Sequence, residues 1–373
     1  MNATLMLSVL LALPLCLVSP VLAGTPPPSN FQTSSTVYRI DLVSAEEFFN
    51  RGLSKIEEGN RKAAIVDYTQ ALRINPYSAK AYNNRGVARF SLGDRQGALE
   101  DYNQALSLNS LSWEIYVNRA AVRIDLGDKQ GAIEDCDRAL RLNPAFAKAF
   151  YNRGAARFDL GDKKGAIEDF EAALRIDPNY AEAYLNRGVA RFDLTDQEGA
   201  IADYTRALSL NPNLARAHFN RGIANAALGH KEAAIADFTR AIESNPNYAE
   251  AYYNRGAERN EAGNQQGAIE DWSQVIRLNA EDSVAYYNRA IARASLGDRQ
   301  GGIADYTQAI QYSADFAEAY YSRGRLRSKS GDRQGAIQDY EKAAQLFLDR
   351  GQSELGQRIL STLRRLQNSP VLG

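Results

Sequence analysis

The chain is poor in the residues that catalysis usually needs. Its 373 residues include two cysteines, Cys16 and Cys136, and two histidines, His218 and His230. That leaves almost nothing for metal ligation or nucleophilic attack. No Gly-rich phosphate loop, Cys-x-x-Cys pair or His-Glu-x-x-His run occurs. No catalytic residue, metal site or cofactor is therefore expected, and the chain is read as a non-enzyme. An excess of charge is also missing: 44 Lys and Arg stand against 45 Asp and Glu, for a net charge of −1. Such a chain has no general basic surface for nucleic acid or an anionic membrane.

Long apolar runs are missing beyond the N-terminus. From Leu5 to Val18 the chain is nearly all apolar, and Val21-Leu22-Ala23 follows. Residues 1–23 read as a signal peptide cut after Ala23, although the first residues carry no Lys or Arg. The run is short for a membrane span, which takes about 20 apolar residues, so no stable span is expected after cleavage. Residues 24–44, which open with Pro26-Pro27-Pro28, read as a flexible linker. The expected location is an exported one: periplasm, thylakoid lumen or extracellular space. Removal of the leader leaves Cys136 as the sole cysteine, so no internal disulfide can form.

A 34-residue period dominates the rest. Asn84-Arg85-Gly86 returns as Asn152-Arg153-Gly154, Asn186-Arg187-Gly188, Asn220-Arg221-Gly222 and Asn254-Arg255-Gly256. Nine units tile without insertion: 45–78, 79–112, 113–146, 147–180, 181–214, 215–248, 249–282, 283–316 and 317–350. Each unit spells two helices. The first ends at Gly in eight of nine units, for example Gly161, because glycine tolerates the left-handed conformation that closes a helix. Asp or Asn follows in eight units and caps the second helix. That helix ends near Asn-Pro, as at Asn75-Pro76, since the residue before proline avoids helical geometry. The eighth place is Gly or Ala throughout, and the twentieth likewise, so helices can approach closely there. Bulky groups at the fourth and twenty-fourth places, such as Tyr82, Phe170 and Trp272, form the core stripe. Cys136 takes one of these core places and reads as a buried, inert thiol. His218 reads as a core substitution, and His230 as an exposed turn residue. Residues 351–373 read as a capping helix and tail, with Leu355, Ile359, Leu360, Leu363 and Leu366 on one side.

Over residues 45–350 this pattern resembles the tetratricopeptide repeat family. The resemblance implies an all-α, right-handed superhelical solenoid of antiparallel helix pairs: nine repeats plus a C-terminal capping helix. It also implies a concave groove, lined by the first helices, that takes protein or peptide ligands. The sequence departs from the family at the seventh place, where Arg replaces the usual Leu in all nine units (Arg51 to Arg323). The facing second helix carries Asp in all nine (Asp67 to Asp339). This pairing predicts an Arg–Asp ladder within each hairpin rather than a phosphate-binding row, because the Asp neutralises the charge.

The sixth place holds Asn50, Asn84, Asn118, Asn152, Asn186, Asn220, Asn254 and Asn288, with Ser322 last. Asn is a mediocre helix former, so eight repetitions in mid-helix call for a reason. Two readings stand. The amides bond across the seam between repeats, or they face the groove and hold a ligand backbone. The second resembles the asparagine ladder in the repeat superhelix of O-linked N-acetylglucosamine transferase, whose catalytic domain has no counterpart here. On that reading the groove also carries the aromatic fifth places Tyr151, Phe219, Tyr253, Tyr287 and Tyr321, together with Phe49. At the second and thirteenth places ten acids, including Asp125, Asp159, Asp193 and Glu261, outnumber four bases, Lys80, Lys148, Arg216 and Lys329. This predicts a mildly acidic groove that favours neutral or basic segments. The functional expectation is a scaffold that binds protein or peptide segments and assists complex assembly. A self-assembling structural solenoid is the alternative.

Overall fold

Alternation of a glycine-stopped first helix with an Asp-capped second one produces a run of helical hairpins. The computed structural model describes residues 36–368, with side chains from Ala45 onward. The expected leader and residues 24–35 of the expected linker lie outside them. The remainder of that linker is helical instead: α1 begins at Thr36, nine residues before the first repeat. Among the described residues all regular structure is α-helical.

The chain divides into two compact units, one ending at Leu210 and the other starting at Asn211. The first holds α1 (Thr36–Glu57), α2 (Arg61–Ile74), α3 (Ala79–Ser91), α4 (Arg95–Leu108), α5 (Trp113–Asp125), α6 (Lys129–Leu142), α7 (Ala147–Asp159), α8 (Lys163–Ile176), α9 (Ala181–Asp193) and α10 (Gln197–Leu210). The second holds α11 (Ala215–Ala227), α12 (Lys231–Ser244), α13 (Ala249–Glu261), α14 (Gln265–Leu278), α15 (Ser283–Ser295), α16 (Arg299–Tyr312), α17 (Ala317–Lys329), α18 (Arg333–Asp349) and α19 (Ser353–Asn368). Within each unit every helix packs on its sequence neighbours, as a solenoid of hairpins requires.

The turns follow the sequence chemistry. Gly161 closes α7 with φ +88°, and Asp162 then accepts a 2.9 Å hydrogen bond from the Gly165 amide at the start of α8. The fifth repeat departs from this pattern. Thr195 stands where eight units have Gly and is held at φ +65°, in the left-handed region that a β-branched residue avoids.

Small residues set the approach within a hairpin. A Cβ placed on Gly188 would lie 2.6 Å from Tyr204 Cε1, so Gly at the eighth place makes room for the ring at the twenty-fourth. The third repeat trades both partners together. Ala120 replaces the Gly and the smaller Cys136 replaces the ring, fully buried with Ile124, Ala132 and Ala156. Burial pushes the Cys136 thiol well above its usual range. At the C-terminus α19 lies on α18 and buries Ile359 and Leu363 beside Tyr340, Ala344 and Phe347. Leu360 and Leu366 are partly buried there, whereas Leu355 is exposed at 36%.

Candidate functional site

The Arg–Asp ladder is present in all nine hairpins. In the fourth repeat Arg153 donates from Nε (3.0 Å) and Nη2 (2.6 Å) to Asp169, a planar fork on a buried carboxylate. A second arginine from one turn further along often joins it, as Arg259 Nη1 does on Asp271 at 2.9 Å. The remaining Nη1 of the first arginine reaches back to the preceding repeat. Arg119 thus meets Asn103 at 2.9 Å, Arg255 meets Thr239 at 3.0 Å and Arg323 meets Thr307 at 3.0 Å. Each such arginine therefore ties three helices together. With its charge satisfied it is architecture, not a phosphate row. In the sixth repeat Asn225 replaces the second arginine and donates to Asp237 at 3.0 Å. Burial acts to raise the Asp237 carboxyl. The nearby His218 ring, the Arg221 guanidinium and the Asn225 amide outweigh it, and the net shift is downward.

The asparagine row occupies the seam between repeats rather than a ligand groove. Asn84, Asn118, Asn152, Asn186 and Asn254 are 0% exposed, and Asn220 is 6% exposed. Asn118 Nδ2 donates to Asn83 Oδ1 at 3.1 Å, and Asn186 Nδ2 to the Tyr151 hydroxyl at 2.7 Å. Asn288 Nδ2 repeats this with the Tyr253 hydroxyl at 2.9 Å. Asn152 donates to the Val117 carbonyl at 3.5 Å, whereas Asn254 turns to its own helix at Glu250 O, 2.9 Å. The Oδ1 atoms of Asn152, Asn186 and Asn254 have no partner, so it is the donor side of each amide that bonds. Asn50 alone is exposed and Asn288 half-buried. A buried amide cannot take up a peptide backbone. Of the two sequence readings the seam is the one the structure supports, and the groove assignment of Asn84 to Asn254 is corrected accordingly.

The aromatic fifth places divide in the same way. Tyr151, Phe219 and Tyr253 are buried beneath the repeat that follows each of them. Tyr151 stacks on Tyr180 with centroids 4.9 Å apart, and Phe219 on Tyr248 at 4.8 Å. These three are core. Tyr287 and Tyr321 remain half-exposed.

Part of the expected acidity is paired away between repeats. A cation at the seventeenth place reaches the acid at the thirteenth place of the next repeat. Arg95 pairs with Asp125, Lys129 with Asp159, Lys163 with Asp193 at 2.9 Å, and Lys231 with Glu261 at 3.0 Å. Four of the ten acids are thus paired by the repeat before them, which leaves six acids against four bases. The sequence carries this signal as a spacing of 30 that cuts across the repeat boundary. A count within units misses it.

At the last pair of repeats the ladder fails. The positions that should pair are Arg299 and Lys329, two cations. Beside them Arg325 takes the ninth place, which the other eight units fill with Leu, Val, Ile or Ala. Among the described residues none of the three has an ion-pair partner. They border a cavity of about 800 Å³ formed by α15, α17 and the start of α19. Tyr287, Ile291, Tyr321 and Leu355 supply its apolar wall, with Tyr306 and Phe347 behind. Arg325 lies over the Tyr321 ring, 5.8 Å from its centroid. Glu318 is the only acid on the lining, and Arg350 stands 3.6 Å from it.

No grouping that suits a metal occurs among the described residues. His218 is buried with Nε2 3.0 Å from the Pro212 carbonyl, and His230 is exposed at the start of α12. No helix among the described residues is long and apolar enough to cross a membrane.

Comparison with known proteins agrees with this architecture. Models described as TPR repeat match residues 52–93, 154–195 and 190–229. Further tetratricopeptide repeat models match 79–110 and 215–248, 238–270, and 114–146 and 317–349. No curated protein matches the chain. Among solved structures, a tetratricopeptide repeat protein from Parabacteroides merdae is 22% identical with a TM-score of 0.51, over 67% of this chain and 98% of that one. PilF from Pseudomonas aeruginosa is 20% identical with a TM-score of 0.51, over 57% and 96%. YrrB, described as having an unusual peptide-binding site, is 26% identical with a TM-score of 0.44, over 50% and 96%. Family models spread over most of the repeat region, with the hairpin architecture beneath them, place this chain in the tetratricopeptide repeat family.

Proposed function

We propose that this protein is an interaction scaffold that holds a segment of another protein in the cavity of its last two repeats. The family supports a protein–protein interaction scaffold. The finer reading rests on one observation: at α15, α17 and α19 the half-exposed Tyr287 and Tyr321 border a cavity of about 800 Å³. Tyr287 and Tyr321 offer rigid, amphipathic contact area of the kind that anchors interfaces. A photo-crosslinking amino acid at position 321 of the full chain should capture a heterologous protein. The same group at the exposed Glu341 on α18 should not. Equal capture at both positions, or capture of copies of this chain alone, would instead support the self-assembling solenoid.

We further propose that residues 1–23 export the protein, supported by the apolar run and the small residue at Ala23. Intact mass of exported protein should begin at Gly24. A retained Met1 or a lipid adduct on Cys16 would refute this.

A further inference from the structure

The cavity differs from the rest of the molecule in charge as well as in access. At four seams the seventeenth-place cation meets an acid, as Lys163 meets Asp193, and at the first seam Arg61 precedes the neutral Ser91. Where no cation is supplied the thirteenth place carries no charge: Gln197 precedes Ala227, and Gln265 precedes Ser295. The other seven seams thus never set like charges at these two places, and the pair Arg299 and Lys329 does. Two cations brought to one place repel and lower stability unless an anion sits between them. Arg325 adds a third positive charge at a place that is apolar in the other eight units, beside the half-exposed Tyr321 ring. The one acid on the lining already faces Arg350.

Resting on the cavity reading above, we propose that the ligand is an acidic peptide segment carrying an aromatic side chain. Its carboxylates meet Arg299, Arg325 and Lys329, and its ring enters between Tyr287 and Tyr321. Charge complementarity selects this occupant, because arginine offers a fork and lysine a point charge to carboxylates. The chain's own residues 1–35 contain no Asp or Glu and do not meet the requirement.

The test uses the full chain and a fluorescent, acetylated peptide of alternating Asp and Gly with one central Trp. Anisotropy titrations compare it with a peptide carrying Lys for Asp and with one carrying Ala for Trp. The acidic peptide should bind at least roughly ten-fold more tightly than the Lys peptide, with affinity falling as salt rises. The combined Arg299→Ala, Arg325→Ala and Lys329→Ala variant should lose roughly ten-fold or more. Replacing three exposed cations elsewhere (Lys62, Lys164 and Lys342) by Ala should change binding less than about two-fold. Tyr321→Ala should weaken the Trp peptide more than its Ala counterpart. All three cavity cations are exposed, so circular dichroism should show an unaltered fold. If the triple variant proves unstable, Lys329→Glu alone serves in its place.

Equal binding of the acidic and basic peptides, or equal loss from both triple variants, would overturn the proposal. So would binding to phosphatidylglycerol vesicles, or a concentration-dependent dimer, that needs the three cations while the peptide does not bind. The crosslink at position 321 separates the two levels. Capture there without acidic-peptide binding rejects the ligand chemistry and keeps the cavity. Loss of both rejects both.

Discussion

The hairpins of the first unit and the last two hairpins of the second are built from one pattern and end up with opposite surfaces. From α3 to α8 the fifth, sixth and ninth places are buried, and the seventeenth-place cations of α4, α6 and α8 meet an acid in the next repeat. From α15 to α19 the fifth and ninth places are half-exposed or exposed, and the places that pair elsewhere hold two cations, Arg299 and Lys329, that border one cavity. Repetition therefore builds a closed seam by default. The cavity lies where the repeat departs from its own rule.

The largest effect should come from opening the closed seam. Changing Asn118, Asn152, Asn186 and Asn254 together to Ala should lower stability, chiefly where Asn83 Oδ1 and the Tyr151 hydroxyl lose their donor, because an unpaired buried group costs about 1–3 kcal/mol. Calorimetry on this variant, set beside the exposed Asn50→Ala, gives the contrast. An unchanged or raised melting temperature would return the row to the groove. Next in size is the open end. Deleting 351–373 removes the buried side chains of Ile359 and Leu363 and uncovers Phe347. The expected loss is about 3–6 kcal/mol, at about 1.5–3 kcal/mol for each buried aliphatic chain. Self-association of the exposed face should follow and is read by sedimentation. A monomer of unchanged stability would show that α19 neither covers the end nor shapes the cavity.

Breaking one rung of the Arg–Asp ladder should cost about 3 kcal/mol. Asp169→Ala leaves Arg153 and Arg157 facing each other without their carboxylate. The exposed pair Arg240 and Glu243 should contribute little when removed, about 0–1 kcal/mol. Similar losses at both pairs would mean that burial does not distinguish them. A smaller gain is expected at the irregular turn of the fifth repeat. Thr195→Gly should raise stability by about 1 kcal/mol, since the backbone there already holds φ +65°. No rise in the melting temperature would mean that the strain is offset locally.

The smallest effect concerns pH. The Asp237 carboxyl is held below its usual value of 3.8. A carboxylate whose folded value is depressed contributes stability that is fully present above the unfolded value. That contribution is lost as pH falls through the folded one. The stability advantage of the natural chain over Asp237→Asn should therefore be constant at neutral pH and shrink below about pH 4. Melting temperatures taken across that range check the sign, and an advantage that grows on acidification would reverse it.

Much of the fold was legible because it is local. Gly161 stops a helix, Asp162 starts the next and Gly188 admits Tyr204. Each of these follows from contacts between residues close in sequence, or within one hairpin, repeated nine times. The Arg–Asp ladder was legible for the same reason, since Arg153 and Asp169 lie 16 residues apart on the two arms of one hairpin. Cys136 could be read as core from its phase alone. The start of α1 was not legible, because Thr36 to Ser44 lies before the first repeat and has no periodic partner to mark it.

The site was legible only in part. Tyr287 and Tyr321 were named from the fifth-place pattern together with Tyr151, Phe219 and Tyr253, and nothing in the pattern separated them. Burial decided which rings are core: Tyr151, Phe219 and Tyr253 are covered, whereas Tyr287 stays half-exposed although it stacks on Phe316 as Tyr151 does on Tyr180. The sequence by itself determined the period, the helix ends, the capping residues and the pairing of charges within a hairpin, since these depend on backbone geometry and near neighbours. Tertiary structure alone decided that the asparagines are sealed in the seam, that Lys163 cancels Asp193, and that Arg299, Arg325 and Lys329 border one cavity. The physical reason is burial and charge pairing between repeats. A side chain's phase in its own unit says where it points, but the next repeat decides whether that direction leads to protein, to an opposite charge or to open space.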